Sequence, residues 1–339
     1  MKDQVTTKLQ HNMKGNQKAS VSSTISRIFT QYRTLSILSI IAVYIIIFSI
    51  RYPEIFPTYY NFSAVMLAMA VETIIVIAMT ILLISGEIDL SVGWNMALAG
   101  IICTHLVVYE KFGIPAAIAI TMLISVVMGL FNGIIVAKIG VNSFITTLAS
   151  GLVFYGLALK ISGGSTITHL PKEFNMIGQK VLFFKLQAPV WYALIIVVVF
   201  AYLMARSEIF RRYYYIGSNP KAAILSGIDM KKMKIIAFVI ASVLSSFAGI
   251  VSAARFGNAM VLVGSGMELK AITAAVVGGV SFTGGVGTIT GAAAGALFMA
   301  LLNNGLIIAE VSAYWQQIIV GFVLLIAVIT DVILSKKRI

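Results

Sequence analysis

The stretch TILLISGEIDLSVGW (residues 80–94) places two glycines and two carboxylates between apolar segments. Apolar runs recur from Thr34 to the C-terminus, and several approach the ~20 residues that an α-helix needs to cross a bilayer. Hydrophobic residues make up 59% of the 339-residue chain, and charged residues make up only 11%. Soluble domains carry about 25% charged residues. The sequence therefore predicts an all-α, polytopic membrane protein.

The apolar runs predict about ten transmembrane helices. The predicted spans cover residues 34–50, 62–85, 88–108, 115–137, 141–161, 189–205, 235–256, 267–283, 286–309 and 314–334. The span 88–108 and the pair of spans around Gly284 could instead be re-entrant half-helices, and the sequence leaves that alternative open.

Basic side chains are concentrated in three segments outside the spans. Residues 1–33 hold six Lys/Arg against one acid, residues 206–234 hold seven against two, and residues 336–338 add three. Lys and Arg are enriched in the cytoplasmic loops of membrane proteins, so both termini and the 206–234 loop are predicted to be cytoplasmic. Even numbers of predicted spans separate these segments, which agrees with that placement. The positive charge is therefore attributed to membrane topology, and no nucleic-acid partner is predicted.

Two similar segments indicate an internal duplication. NGIIVAKIGVNSFITTLASGLV begins at Asn132 and NGLIIAEVSAYWQQIIVGFVL begins at Asn304. They lie in the fourth and ninth predicted spans, so an odd number of crossings separates them and the two helices should run in opposite directions. Inverted repeats are a common transporter architecture. Residues 1–33 are predicted to be a polar tail, and the repeat halves to cover residues 34–188 and 189–335.

The glycine-rich stretch VVGGVSFTGGVGTITGAAAGAL (residues 276–297) is not a nucleotide site. The chain has no Gly-Lys dipeptide, which a phosphate-binding P-loop requires. Gly287, Gly291 and Gly295 are spaced by four, which predicts one helix face that lets another backbone approach closely. Gly284 and Gly285 are predicted to form a turn or a helix break.

The first glycine break contains candidate capping residues. Gly86 is predicted to end one helix, and Gly93 is the second glycine of the break. Asp89 is placed to cap the following helix, where its carboxylate can accept from exposed N–H groups; contact with a solute is the alternative. Glu87 is interpreted as an interfacial charge.

The loop at residues 206–234 contains residues that typically start and end a short helix. Asn219 is a favourable N-cap, Pro220 suits the first helical position, and Gly227 suits the C-terminal stop. The segment between them makes about two turns, which is too short to be stable alone. It must dock either on its own bundle or on a partner.

Three stretches together resemble one family. GEIDLSVG (residues 86–93), GSNPKAAILSGI (residues 217–228) and AITAAVVGGVSFTGGVGTITGAAAGALFMALLNNGL (residues 271–306) resemble the permease subunits of ABC importers for ribose, xylose, galactose and autoinducer-2. The resemblance extends in order from about residue 35 to residue 335. Glu87 departs from the family pattern, in which many members have a glycine or another small or polar residue.

The resemblance implies a mechanism and a set of partners. An extracytoplasmic solute-binding protein delivers a sugar to two paired permeases, and a separate cytoplasmic ABC ATPase hydrolyses ATP. This chain would then be a transport subunit of the bacterial inner membrane, with no catalytic residue and no bound cofactor. A short cytoplasmic helix couples the permease to the ATPase. The residues that match it are Gly217, Asn219, Pro220, Ala222, Ala223 and Gly227.

Polar residues inside the predicted spans are candidates for the translocation route. Glu72 lies deep in a span, where an ionisable group faces the bundle or an aqueous cavity. The amides suit sugar hydroxyls, but they also suit hydrogen bonds between helices. The candidates are Glu72, Asn95, Asn132, Asn303, Asn304 and Gln316. His105 and His169 have no ligand partners at metal spacing, so no metal site is predicted.

Two alternatives to a sugar permease remain. One is an ABC permease for a nucleoside or another non-sugar solute. The other is a stand-alone secondary transporter, driven by protons through Glu72.

Overall fold

The computed structural model describes residues 33–336, with the side chains of residues 35–333. This part of the chain folds into α-helices joined by loops. They are α1 (Arg33–Arg51), α2 (Tyr59–Ile84), α3 (Val92–Val108), α4 (Ile114–Ile134, extended by a π-helical turn, Ile135–Ile139), α5 (Ser143–Ser162), α6 (Lys172–Gln179), α7 (Ala188–Arg206), α8 (Glu208–Ser218), α9 (Pro220–Leu225), α10 (Met230–Phe256), α11 (Met267–Val277), α12 (Ile289–Ile308) and α13 (Ala313–Lys336).

The long helices fit a membrane protein. Among the described residues, seven helices are long and apolar enough to cross a bilayer: α2, α4 with its π-helical turn, α5, α7, α10, α12 and α13. The apolar segments Leu35–Arg51 of α1 and Val92–Val108 of α3 are shorter. The predicted all-α polytopic fold is confirmed.

The predicted span 267–283 is wrong in its length. Its helix α11 covers only Met267–Val277, about 16 Å at 1.5 Å per residue, whereas the hydrocarbon core of a bilayer is about 30 Å thick. The helix stops at Gly278 and Gly279, and Gly279 has a φ of 92° that only glycine adopts easily. Helix α11 is therefore a half-helix, which is the alternative that the sequence left open.

The two Asn-Gly helices run in opposite directions. We use "the α8–α9 face" for the end of the bundle that carries α8 and α9. Helix α4 ends at this face, where Gly133 lies against Ile235 near the start of α10. Helix α12 begins there, because the Tyr214 hydroxyl of α8 donates to the carbonyl oxygen of Gly287, 3.0 Å away, just before α12.

Glycines bring α11 and α12 into backbone contact. A Cβ atom on Gly295 would overlap the carbonyl oxygen of Ala274, and one on Gly278 would overlap that of Gly291. Gly287 does not share this face. It precedes Ile289, the first residue of α12, and its φ is 147°. Small residues let helices pack closely in lipid, and in this bundle they fix the half-helix α11 against α12.

Candidate functional site

Residues at the two ends of the short helix α9 determine where it begins and ends. The Asn219 side-chain oxygen accepts a hydrogen bond from the Ala222 N–H at 3.1 Å, and Pro220 is the first helical residue. Gly227 lies beyond the helix end with a φ of 77°. These local interactions start and stop a six-residue helix that has little stability of its own.

Helix α9 presents apolar side chains to its surroundings. Ala223 is only 2% exposed and faces the bundle, whereas Ile224 is 60% exposed and Leu225 is 89% exposed. A groove of about 490 Å³ lies beside them, and its lining includes Arg211 and Arg212 of α8. Lys and Arg are enriched in cytoplasmic loops of membrane proteins, so exposed apolar side chains beside these arginines suit contact with a protein rather than with lipid.

Four glycines anchor α8 to the bundle; we name Gly86, Gly217, Gly284 and Gly285 the glycine junction. The Gly285 N–H donates to the carbonyl oxygen of Ile84 at 2.8 Å. A Cβ atom on Gly217 would overlap that same oxygen, and one on Gly284 would come within 3.1 Å of the Gly86 Cα. The three sequence stretches that resemble the permease family therefore meet at one point, directly before α9.

The carboxylate of Glu87 is buried beside this junction. It is 7% exposed, and its Oε1 lies 2.5 Å from the Nζ of Lys234 in α10. Glu87 is therefore a buried ion-pair partner of Lys234, a role that the sequence did not indicate. The ion pair holds the α2–α3 connection against the first turns of α10.

Asp89 is part of a buried network. Its Oδ1 accepts from the Ser91 N–H at 2.7 Å and from the Ser91 hydroxyl at 2.5 Å. The Asn132 amide donates to that hydroxyl at 3.0 Å. Asp89 binds the residue before α3 rather than the first turn of α3, which begins at Val92. This network joins the first glycine break to the first Asn-Gly helix.

Asn95 connects two central helices. Its amide nitrogen donates to Ser242 of α10, and its oxygen accepts from the Ser246 hydroxyl of α10 at 2.6 Å. Asn95 is 1% exposed. The structure therefore places it among interhelical contacts.

Replacing Asn95 with Ala should lower stability without changing solute affinity. The change removes the acceptor of the buried Ser246 hydroxyl and the donor to Ser242, whose own hydroxyl keeps its bond to the carbonyl oxygen of Ser125. The loss costs about 1 kcal/mol or more. We expect a lower midpoint of thermal unfolding in detergent, with the exposed Gln317→Ala as the neutral control. An unchanged midpoint combined with an altered KM for transport would place Asn95 in the route instead.

Asn304 and Gln316 also make structural contacts. Asn304 and Asn61 exchange two amide hydrogen bonds, at 2.7 and 3.2 Å, which tie the end of α12 to the start of α2. Gln316 donates to the carbonyl oxygen of Val311 at 2.7 Å, within the turn that precedes α13. Neither side chain joins the other predicted route residues.

Glu72 and Asn303 do come together, with a residue that the sequence reasoning missed. The Glu72 Oε1 lies 3.7 Å from the Nζ of Lys270 in α11. All three side chains line a cavity of about 10 Å³, which has room for about one water molecule. Lys270 fell inside a predicted span, and a charge there was itself the signal that could have identified it.

Two further charged side chains belong to the helices α10 and α11. Arg255, in the last turn of α10, attracts Glu72 electrostatically. Glu268 precedes Lys270 in α11, and its Oε2 is buried with no hydrogen-bond partner among the described residues. Gly93 lies beside Glu268, because a Cβ atom on this glycine would come within 2.9 Å of that oxygen. The Glu72 carboxylate, two bases and an amide thus form a polar group, in which the Lys270 side chain remains 46% exposed.

Comparison with known proteins identifies the family. Residues 61–328 match the family described as "Branched-chain amino acid transport system / permease component". The ribose import permease protein RbsC of Escherichia coli K12 is 35% identical over 317 residues, which cover 92% of this chain and 97% of that protein. The D-allose transport system permease protein AlsC of the same strain is 34% identical over 307 residues, covering 90% and 93%.

A third relative comes from another organism. The galactose/methyl galactoside import permease protein MglC of Haemophilus influenzae is 33% identical over 295 residues, which cover 82% of this chain and 88% of that protein. No solved structure matches the chain. The match to the family covers most of the helices and the whole α8–α9 face, and the relatives align over nearly their full length. The chain belongs to this family of ABC importer permeases.

Proposed function

We propose that this chain forms the translocation route of a bacterial importer for a monosaccharide, and that a separate ATPase supplies the energy. The proposal rests on two features: α9 exposes apolar side chains, and the glycine junction joins the end of α8, directly before α9, to the core of the bundle. Ile224 and Leu225 project outward, while Gly217 and Gly285 fix the support of α9 to the core helix α2. A partner that moves α9 therefore acts on the transmembrane core.

The occupant of the α8–α9 face is a cytoplasmic ABC ATPase in this proposal. The 206–234 segment carries seven basic residues against two acidic ones, which favours the cytoplasmic side of the inner membrane. Both termini lie on that side as well. The groove beside α9 combines arginine side chains with apolar ones, a composition that is common at protein interfaces.

The opposite end of the bundle would receive the solute-binding protein. There the 162–188 connection contains α6, whose Phe174 is fully buried and whose Gln179 amide donates to the carbonyl oxygen of Arg255 at 3.0 Å. These contacts hold the connection against the end of α10. Phe183 and Phe184 remain 73% and 79% exposed, which suits a docking surface. The second permease of the pair completes the route.

The polar group around Glu72 supports a neutral, polar solute. Glu72, Lys270 and Asn303 supply acceptors and donors for hydroxyl groups, and a few such groups in an otherwise apolar site are typical of small-molecule recognition. The three relatives are named for ribose, D-allose and galactose. The opposite charges of Glu72 and Lys270 offset each other, which favours an uncharged sugar.

Transport in proteoliposomes tests this function. The chain is reconstituted with its ATPase and binding protein, and uptake of radiolabelled D-ribose, D-allose and D-galactose is measured, with uridine as a non-sugar probe. Uptake of at least one sugar should require both ATP and the ATPase. Accumulation driven by a proton gradient in vesicles that hold the chain alone would contradict the proposal.

The variant Glu72→Gln distinguishes transport driven by ATP from transport driven by a proton gradient. In the proposed importer the change leaves the Lys270 ammonium without its ion-pair partner, so uptake should fall severalfold but remain dependent on ATP. In a proton-driven transporter the same change removes the proton carrier and abolishes uptake. Measuring uptake against the external pH with both proteins distinguishes the two results.

A further inference from the structure

Helix α13 is the least buried of the seven long apolar helices, yet it carries a buried carboxylate. In the most apolar stretch of α13, only 6% of the residues are buried. Asp331, near the C-terminal end of the helix, is nevertheless buried, with only 4% of its surface exposed. Burying a carboxylate is costly unless hydrogen bonds compensate for the lost water. The position of Asp331 therefore calls for specific partners.

Those partners belong to the turn between α11 and α12, residues 278–288. The Asp331 Oδ2 accepts from the Ser281 hydroxyl at 2.9 Å and from the Phe282 N–H at 2.8 Å. The Ser281 N–H donates to the carbonyl oxygen of Val286 at 2.9 Å, which closes the turn. Hydrogen bonds to an ionised group are stronger than those between neutral groups. Asp331 therefore holds the end of α13 to a turn whose backbone is itself closed by a hydrogen bond.

The same turn holds α8 at its other side. The Tyr214 hydroxyl donates to the carbonyl oxygen of Gly287 at 3.0 Å. A Cβ atom on Gly285 would come within 2.7 Å of the Ser218 backbone, so this glycine packs directly against the end of α8. Ser218 is the last residue of α8, and only Asn219 separates it from α9. The turn is thus clamped between the support of α9 and the end of α13.

We propose that Asp331 is a positioning residue that transmits displacement of α9 through the 278–288 turn to α13. Hydrogen-bonded, rigid segments can carry such a displacement, whereas apolar contacts alone let a helix slide. The partly buried residues Val320, Val323 and Leu324 give α13 only apolar contacts with the core. This inference rests on the proposed function, because the displacement comes from the ATPase.

Distance measurements on the assembled complex test the inference. Spin labels are placed on exposed sites of α13 and α4, by Leu325→Cys and Leu123→Cys, in nanodiscs that contain the permease and its ATPase. ATP should change the distance between the labels in the otherwise wild-type protein. In Asp331→Ala, ATP hydrolysis should continue, the distance should no longer respond, and sugar carried per ATP should fall about tenfold.

Two further variants exclude a general loss of folding. Asp331→Asn keeps a side-chain oxygen that can accept both hydrogen bonds, so its response should largely return. Thr330→Ala removes an exposed hydroxyl that bonds only within α13, to the carbonyl oxygen of Ile326 at 2.7 Å, and should behave as the wild type does.

The possible results of these measurements either support or overturn the role of Asp331. A normal ATP response in Asp331→Ala overturns the inference, and so does failure of both Asp331 variants to assemble with the ATPase, which would make Asp331 purely structural. Failure of the wild-type permease to bind the ATPase, or to respond to ATP, would instead contradict the proposed function, and this inference with it.

Discussion

Ala223→Pro is expected to abolish assembly with the ATPase while leaving the permease inserted in the membrane. The Ala223 N–H donates to the carbonyl oxygen of Asn219 at 3.0 Å, and proline removes this bond at a cost of about 3 kcal/mol or more. A helix of six residues has too little stability of its own to survive the loss of this hydrogen bond. The docking side chains Ile224 and Leu225 would therefore be displaced. Copurification of the ATPase with the tagged permease measures the effect.

A proline at a permissive site provides the matched control. Lys172 is the exposed first residue of the short helix α6, where an N–H has no partner within the helix. Pro171 before it has a ψ of 146°, which suits a residue that precedes proline. Lys172→Pro should leave ATPase binding intact. Normal copurification of Ala223→Pro would contradict the assignment of α9 as the docking helix.

Gly295→Ala is expected to prevent the bundle from packing. The added methyl group would overlap the carbonyl oxygen of Ala274 and come within 2.8 Å of the Gly278 nitrogen. Backbone atoms cannot turn aside as side chains do, so α11 and α12 must separate. Overpacking of this kind costs about 1–3 kcal/mol or more. The yield of monodisperse protein in detergent and its unfolding temperature should both fall sharply.

The same substitution has the opposite expected effect in α13. A Cβ atom on Gly321 meets no atom within 4 Å, and alanine is favoured over glycine inside a helix by about 0.5–1 kcal/mol. Gly321→Ala should therefore match or exceed the wild type in stability. Equal stability of Gly295→Ala and Gly321→Ala would show that α11 and α12 are not in backbone contact.

The sequence predicted the helices well where apolar runs end at polar or charged residues. It overestimated the span 267–283 because VVGGVSF (residues 276–282) stays apolar through the break. Hydropathy does not detect a helix that ends inside such a run. Only the backbone freedom of Gly278 and Gly279 could have indicated the half-helix, and glycines of that kind also occur within intact transmembrane helices.

The candidate site was predictable where its interactions are local. Asn219 and Pro220 start α9 through contacts within a few residues, and the sequence pattern contains that information. The burial of Glu87 depends on Lys234, and that of Asp331 depends on Ser281. These pairs are distant in the sequence, so periodicity and capping rules carry no information about them.

Labelling of Leu225 from the two sides of the membrane tests the central claim most directly. Cys103 is the only cysteine of the chain and is buried, so Leu225→Cys can be labelled with a membrane-impermeant maleimide against a low background, with Phe184→Cys as the opposite-face control. The proposed importer predicts that Cys at 225 reacts only in inverted vesicles and Cys at 184 only from outside intact cells. Reaction of Cys at 225 in intact cells would place α9 beyond the reach of any cytoplasmic ATPase and contradict the account.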